Sequence, residues 1–352
     1  MLFKAMAGMS IHPFGYCAVK RGAFKTRVLE DLDVIDEKHL DDSTDITALM
    51  DQALDGMPSL LPSPISLSIP LSMVELLSVK IPPVPDEAVE GALKFRLKKL
   101  IPKDINDYSL DYVETTRDAT GIQFEVYMFE KETYSTLEES AGRHGHKLAH
   151  IEPDIYSTFS YLYAKGTLDG TEGVMALVIW PDSVSLGILS RDRIRVSRSI
   201  NLLLPTLDRA PGAARQESML IKAVEYTADD GHDILKQFSL VWDESATIEP
   251  NTKSSTSLEM GKRPGENIET GDMEPVAADP MSEFCDELVV QVMRTRDYYT
   301  SVLKMGTLKK IELFSPGDIK DTLVSCLEEH LSIDVAFHHE PLRAAALGAA
   351  LR

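Results

Sequence analysis

The residues that could do chemistry in this sequence are few and clustered. His144, His146 and His150 fall close enough to share a metal ion, but they straddle the glycine-punctuated end of an expected helix. No carboxylate constellation accompanies them, so they read as a solvated helix terminus. His338-His339-Glu340 follows the last expected strand and reads as a surface turn. Cys17, Cys285 and Cys326 are too few and too widely spaced for a disulfide framework or a CxxC metal site, and they point to a reducing cytoplasm. Lys94, Arg96, Lys98, Lys99 and Lys103 form the strongest basic cluster. Such a cluster suits acidic side chains or lipid headgroups, against the plainer reading of a solvated helix face. No GxSxG, Walker A, HExxH or GxGxxG run is present, so enzyme chemistry has no anchor among these motifs.

Composition narrows the classes further. A chain of 352 residues with 43% hydrophobic content can bury two or more subdomain cores. Its 36 basic and 56 acidic residues give a net charge of -20, a field that repels phosphate backbones and anionic lipid at long range, so no nucleic-acid partner is expected. The longest notable apolar run, Val174 to Trp180, is far shorter than the roughly 20 residues of a spanning helix. The opening residues lack a signal-peptide core, since Pro13 and Gly15 interrupt them. A soluble cytoplasmic protein is expected.

The elements that must position any site alternate between strands and helices. A short strand over 16–19, a turn at Lys20-Arg21-Gly22 and a strand near 26–29 suggest an opening hairpin, followed by a helix within 41–55 and a strand over 65–70. From about residue 73 a compact β-α-β-β-α unit is expected: a strand ending at Lys80-Ile81, a helix over 86–100, strands over 108–113 and 122–129, and a helix over 131–143. A helix over 151–164 precedes a meander of strands at 174–180, 183–189 and 193–200. A helix near 215–226 and a strand near 238–242 follow. Residues 245–282 are poor in apolar side chains and read as a disordered loop. The chain then closes with a helix over 283–303, a strand over 309–314, a helix over 319–331, a strand over 334–337 and an Ala-rich helix over 341–351.

Two halves that each open with strands and close with helices, with a small unit inserted in the first, resemble the actin-like architecture. Four runs carry a closer resemblance to the PilM family of pilus assembly proteins: IPPVPDEAVEGALKFRLKKLIPKDINDYSLDYV (81–113), SRDRIRVSRSI (190–200), MRTRDYYTSVL (293–303) and LRAAALGAALR (342–352). The family is similar also to the cytoplasmic part of GspL-type secretion proteins. The resemblance implies an α/β, actin-like two-lobed fold (FtsA/PilM-type) with a small inserted α+β subdomain. Its core subdomains would be 1–72 with 150–168 and 169–205 with 306–352. The insert would be 73–149, and 206–305 would form an outer subdomain.

It further implies a cytoplasmic scaffold, peripheral at the inner membrane face through a partner only, in a type IV pilus or type II secretion assembly platform. The expected partner is the N-terminal tail of a PilN-like bitopic protein, or a GspL/GspM-like protein, with a cytoplasmic secretion motor ATPase as a second contact. The tail would bind between the first core subdomain and the insert, where Leu93, Leu97, Lys98, Leu100 and Ile101 are candidate contacts. Ile200 to Pro205 happens to look like such a tail but ends an expected strand.

Actin-like ATPases cradle phosphates with two Asp-x-Gly hairpins, where glycine admits the phosphate and aspartate handles the metal. In the first, Ile11 to Lys20, this chain has Gly15 and Lys20 but no aspartate. In the second it has Ile179-Trp180-Pro181-Asp182-Ser183, with Ile179 where the family has its aspartate. The adenine-side glycine pair is reduced to Gly317 in Ser315-Pro316-Gly317-Asp318. Gly15, Lys20, Asp182, Ser183 and Gly317 are thus the residual nucleotide site. No cofactor and no efficient ATP hydrolysis are expected. The alternatives are ATP with magnesium in a functional ATPase of the same system, and the soluble half of a split GspL-like protein.

Overall fold

A computed structural model describes residues 6–21, 29, 32–57, 64–168, 170, 172–205 and 279–351, all within one compact unit. The helix expected near 215–226, the strand near 238–242 and most of the loop at 245–282 lie outside them.

The strand expected over 16–19 lies within β2 (Gly15–Arg21), which also takes in Lys20 and Arg21 of the expected turn. Strand β2 pairs on one side with an earlier strand, β1 (Met6–His12), and on the other with β3 (Leu32–His39). Residues 22–28, where the turn's glycine and most of the strand expected near 26–29 fall, lie outside the described residues. The reading missed β1 because MAGMSIH lacks the clean alternation of a half-buried strand; it is buried on both faces. Helix α1 (Ile46–Gly56) starts where the Asp45 carboxylate accepts from the amides of Thr47 and Ala48, and it buries Leu49, Met50, Ala53 and Leu54. Strand β4 (Pro64–Ile69) runs parallel to β1, and β8 (Lys147–Pro153) runs parallel to β4. The start of the helix expected from 151 is therefore strand, because Pro153 opens the turn into α4 (Asp154–Ala164).

The first sheet has the order β3-β2-β1-β4-β8. The second has the order β11-β10-β9-β12-β13, from β9 (Gly173–Ile179), β10 (Val184–Ser190), β11 (Arg193–Ile200), β12 (Leu308–Phe314) and β13 (Val335–His338). In each, three antiparallel strands continue into parallel ones, so the topology is duplicated and β1 corresponds to β9. Helix α5 (Pro280–Asp297) is capped by Asp279, which puts residues 280–282 in helix, and it ends in a π-helical turn at Tyr298–Val302. With α6 (Lys320–Leu331) it covers the second sheet. Helix α7 (Pro341–Ala350) packs on α4 and β1 at very short range: a Cβ on Gly348 would meet the Ser157 carbonyl oxygen at 1.8 Å, and one on Gly8 the Ala346 oxygen at 2.3 Å.

Between the halves of the first sheet's chain comes a third sheet, β5-β7-β6, of β5 (Glu75–Ile81), β6 (Tyr108–Asp118) and β7 (Gly121–Glu130). Helix α2 (Asp86–Leu97) covers one face of it. The following helix α3 (Lys131–Arg143) packs on α1, so it joins the first sheet and not the three-stranded one. Strand β7 alternates, with Phe124, Val126 and Met128 facing α2 and Tyr127 and Phe129 facing the opposite way. The Tyr127 hydroxyl, 2.9 Å from Ser197 Oγ, links this sheet to β11.

Candidate functional site

The duplicated topology brings the β1–β2 turn and the β9–β10 turn together. Between these turns an actin-like site would receive phosphates, and here aromatic rings fill the space. The His12 ring stacks on Trp180 with centroids 4.4 Å apart, and Phe14 stacks on its other side at 5.5 Å. His12 Nδ1 accepts from the Phe14 amide at 3.3 Å, which leaves the proton on Nε2, 3.2 Å from Asp182 Oδ1. Burial holds the His12 pKa below its ordinary value, against the pull of Asp182. Partial burial pushes Asp182 upward, but the neighbouring His12 ring and the Ser183 hydroxyl hold it below the usual carboxylate range. Ser183 Oγ donates to Asp182 at 2.9 Å and lies 3.3 Å from Ser72 Oγ.

A second anchor lies beneath the rings and was missed in the sequence. Asp154, first residue of α4 and fully buried, accepts from Trp180 Nε1 at 2.6 Å, Ser185 Oγ at 2.7 Å and the Leu71 amide at 3.2 Å. Burial pushes its pKa up to about 6, while these donors pull the other way. An Asp after Pro at a helix start is an ordinary first-turn acid, and nothing local marks it as a bridge between the two sheets.

The structure unites only part of the expected nucleotide set. Gly15 has φ +151°, and a Cβ there would meet the Lys38 oxygen at 2.2 Å, so the glycine serves the close approach of β3. Asp182 and Ser183 lie opposite His12. Lys20, five residues along β2, is about 16 Å from Gly15 at ~3.3 Å per residue, at the far end of the strand. Gly317 follows β12, whose end is level with that of β9, and it lies against His339, whose Nδ1 would be 2.9 Å from a Cβ. Pro13 and Pro181 remove an amide from each turn. These residues do not fit a triphosphate with magnesium, and the described residues hold no group of three or more potential metal ligands.

His338 differs from the expected surface turn. It ends β13, stacks on Phe314 at 4.3 Å and approaches the buried Glu312 carboxylate at 2.5 Å, with Lys310 on the other oxygen. His144 closes α3 through the Ser140 carbonyl and Asp55, in keeping with a helix terminus. The tail-like run at 200–205 folds back on its own chain, with the Leu204 amide bonded to the Pro181 oxygen.

A cleft of about 960 Å³ opens between the first sheet, α4 and the face of the three-stranded sheet turned away from α2. Val113, Tyr127, Phe129, Tyr156, Phe159 and Tyr163 supply its apolar wall, Asp111 and Glu152 its charge. The residues expected to meet a partner lie elsewhere. Leu93, Leu97 and Ile101 form the core under α2, while Lys98 is exposed and Leu100 half-buried beside it. The apolar side chains among these candidates form the face that α2 needs for its own sheet.

Two duplicated five-stranded sheets with an inserted three-stranded one define an actin-like ATPase fold. No protein-family model matches the sequence, and no curated protein is significantly similar. Among solved structures, a PilM-PilN type IV pilus biogenesis complex aligns over 99% of this chain and 98% of that one, with 14% identity and a TM-score of 0.64. A Bacteroides thetaiotaomicron protein with actin-like ATPase fold and unknown function aligns over 98% and 96%, with 12% identity and a TM-score of 0.48. The cytoplasmic domain of EpsL, an inner membrane component of the Vibrio cholerae type II secretion system, aligns over 56% and 71%, with 12% identity and a TM-score of 0.41. At 14% identity the likeness to the first of these establishes the fold alone. Among the described residues no helix is long and apolar enough to cross a membrane.

Proposed function

We propose that this chain is a scaffold of a pilus or type II secretion assembly platform, working at the cytoplasmic face of the inner membrane, that holds an extended tail of a PilN-like partner in its cleft and works without ATP hydrolysis. The observation that carries the reading is the cleft: a largely apolar hollow lined by aromatic side chains with Asp111 and Glu152, between the first sheet, α4 and the three-stranded sheet, is suited to a short peptide with apolar side chains. The fold similarity to a PilM-PilN complex supports that choice of partner. The plug of His12 and Trp180 between the two turns supports a function without nucleotide, since phosphoryl transfer relies on positioned donors and a metal for most of its acceleration. The division into 1–72 with 150–168, 73–149, 169–205 with 306–352, and 206–305 belongs to the same proposal.

Calorimetric titration of the full chain with a PilN-type N-terminal peptide, and separately with ATP and magnesium, tests the proposal. Saturable peptide heat with no nucleotide heat is the expected outcome. Tight magnesium-dependent ATP binding would overturn the nucleotide-free reading, and absence of peptide binding would overturn the partner.

A further inference from the structure

The basic cluster is the feature of the sequence that the proposed function leaves unused. From Gly91 to Lys103 the chain carries Lys94, Arg96, Lys98, Lys99 and Lys103 and no acidic residue, within a protein of net charge -20. Helix α2 turns Val89, Leu93 and Leu97 to its sheet, which leaves Gly91, Lys94, Phe95 and Lys98 on the outer face. Phe95 is 67% exposed, and the Lys99 ammonium lies over its ring at 4.8 Å. Among the described residues a Cβ at Gly91, one turn before Phe95, would have no neighbour within 4 Å. Lys94 pairs with Glu90 and Lys103 with Glu130, whereas among the described residues no carboxylate lies within ion-pair distance of Lys98 or Lys99.

We propose that this face of α2, centred on Phe95, docks directly on an anionic lipid bilayer. An exposed ring ringed by long cationic side chains matches the chemistry of the bilayer interface, where the ring enters the headgroup boundary and the ammonium groups reach lipid phosphates. A purely acidic protein surface would use the lysines but has no need of the phenylalanine. The net negative charge of the chain does not oppose this docking at contact, because salt screens fields beyond about 8 Å at physiological ionic strength. The patch therefore acts locally even though the molecule is repelled at a distance. It also lies on the side of the three-stranded sheet opposite the cleft, so a tail can occupy the cleft while α2 faces lipid. With so few unpaired charges and one ring the binding is weak, strengthened in a cell by any second attachment.

Sedimentation of the full chain with phosphatidylcholine vesicles, with and without ~30% phosphatidylglycerol, tests this inference. Partition is expected only with the anionic vesicles, and it should fall as salt rises. The double variant Lys98→Glu/Lys99→Glu should lose more than tenfold in partition. Phe95→Ala should lose several-fold and Phe95→Trp should retain binding. Thermal melts run alongside confirm that these surface variants fold. Absence of partition at every anionic fraction, or partition that neither variant changes, would overturn the proposal. So would displacement of the vesicles by polyglutamate with no effect of Phe95→Ala, which would make the patch a site for an acidic protein.

Discussion

The imidazole of His12 lies face to face with the indole of Trp180, their planes 15° from parallel, and so joins the first hairpin of one sheet to the first hairpin of the other. Trp180 is 3% exposed and also donates to Asp154, so the stack is anchored on both sides. Trp180→Ala is expected to destabilise the chain by about 3–5 kcal/mol, through lost burial, a cavity and the loss of one of the donors to the buried Asp154 carboxylate. Urea unfolding measures this, and a change below about 1 kcal/mol would mean the stack contributes little.

The same stack makes stability depend on pH in a definite direction. His12 has its pKa lowered in the folded state, so the unfolded chain binds more protons as pH falls through the ordinary histidine value near 6.5. Stability contributed by the neutral ring is complete above that value and is lost as the solution is acidified. Melting temperature should therefore fall more steeply between pH 7.5 and 5.5 in the native chain than in His12→Gln. Parallel curves for the two proteins would refute this assignment.

Asp154 acts with the opposite sign. Its carboxyl titrates near 6 in the fold, above its unfolded value of about 3.9, so its stabilising effect is full below that lower value and declines as pH rises toward 6. A shift of about two units corresponds to ~3 kcal/mol. Titration of the buried carboxyl by infrared or NMR in the native protein, with Asp154→Asn as the blank, reads the value directly.

Close packing of α7 gives a third prediction. A methyl group at Gly348 would press on the Ser157 backbone, which cannot move aside as a flexible side chain could. Gly348→Ala should cost about 2–3 kcal/mol despite the better helix propensity of alanine, and Ala349→Gly on the same helix serves as the comparison. Equal melting temperatures for native and Gly348→Ala chains would show that α7 can shift without penalty.

In the cleft, exposed side chains can be changed without touching a core. Asp111→Lys and Tyr163→Ala should each weaken a PilN-type peptide by about tenfold while leaving the melt unchanged. Unaltered peptide affinity in both variants would place the tail elsewhere.

Much of the fold was legible in residue pattern. The meander over 174–200, the strands at 122–129 and 309–314 and the helix at 131–143 follow from alternation, turn residues and caps, all of them local signals. Strands β1, β3 and β8 were not so legible, since β1 is buried on both faces and β3 and β8 carry several charged or polar residues, making sense only as neighbours of β1, β2 and β4.

By itself the sequence determined the α/β alternation, the prolines at 13 and 181 that remove an amide from each turn, and the basic run at 94–103, because each is a matter of residue types along the chain. Only the tertiary structure decided that His12 meets Trp180, that Trp180 donates to the buried Asp154, that Lys20 lies at the far end of β2 from Gly15, and that Leu93 and Leu97 belong to a core and not to the cleft. Such relationships depend on which sheet edges the duplicated topology brings face to face, and no local spacing encodes that choice.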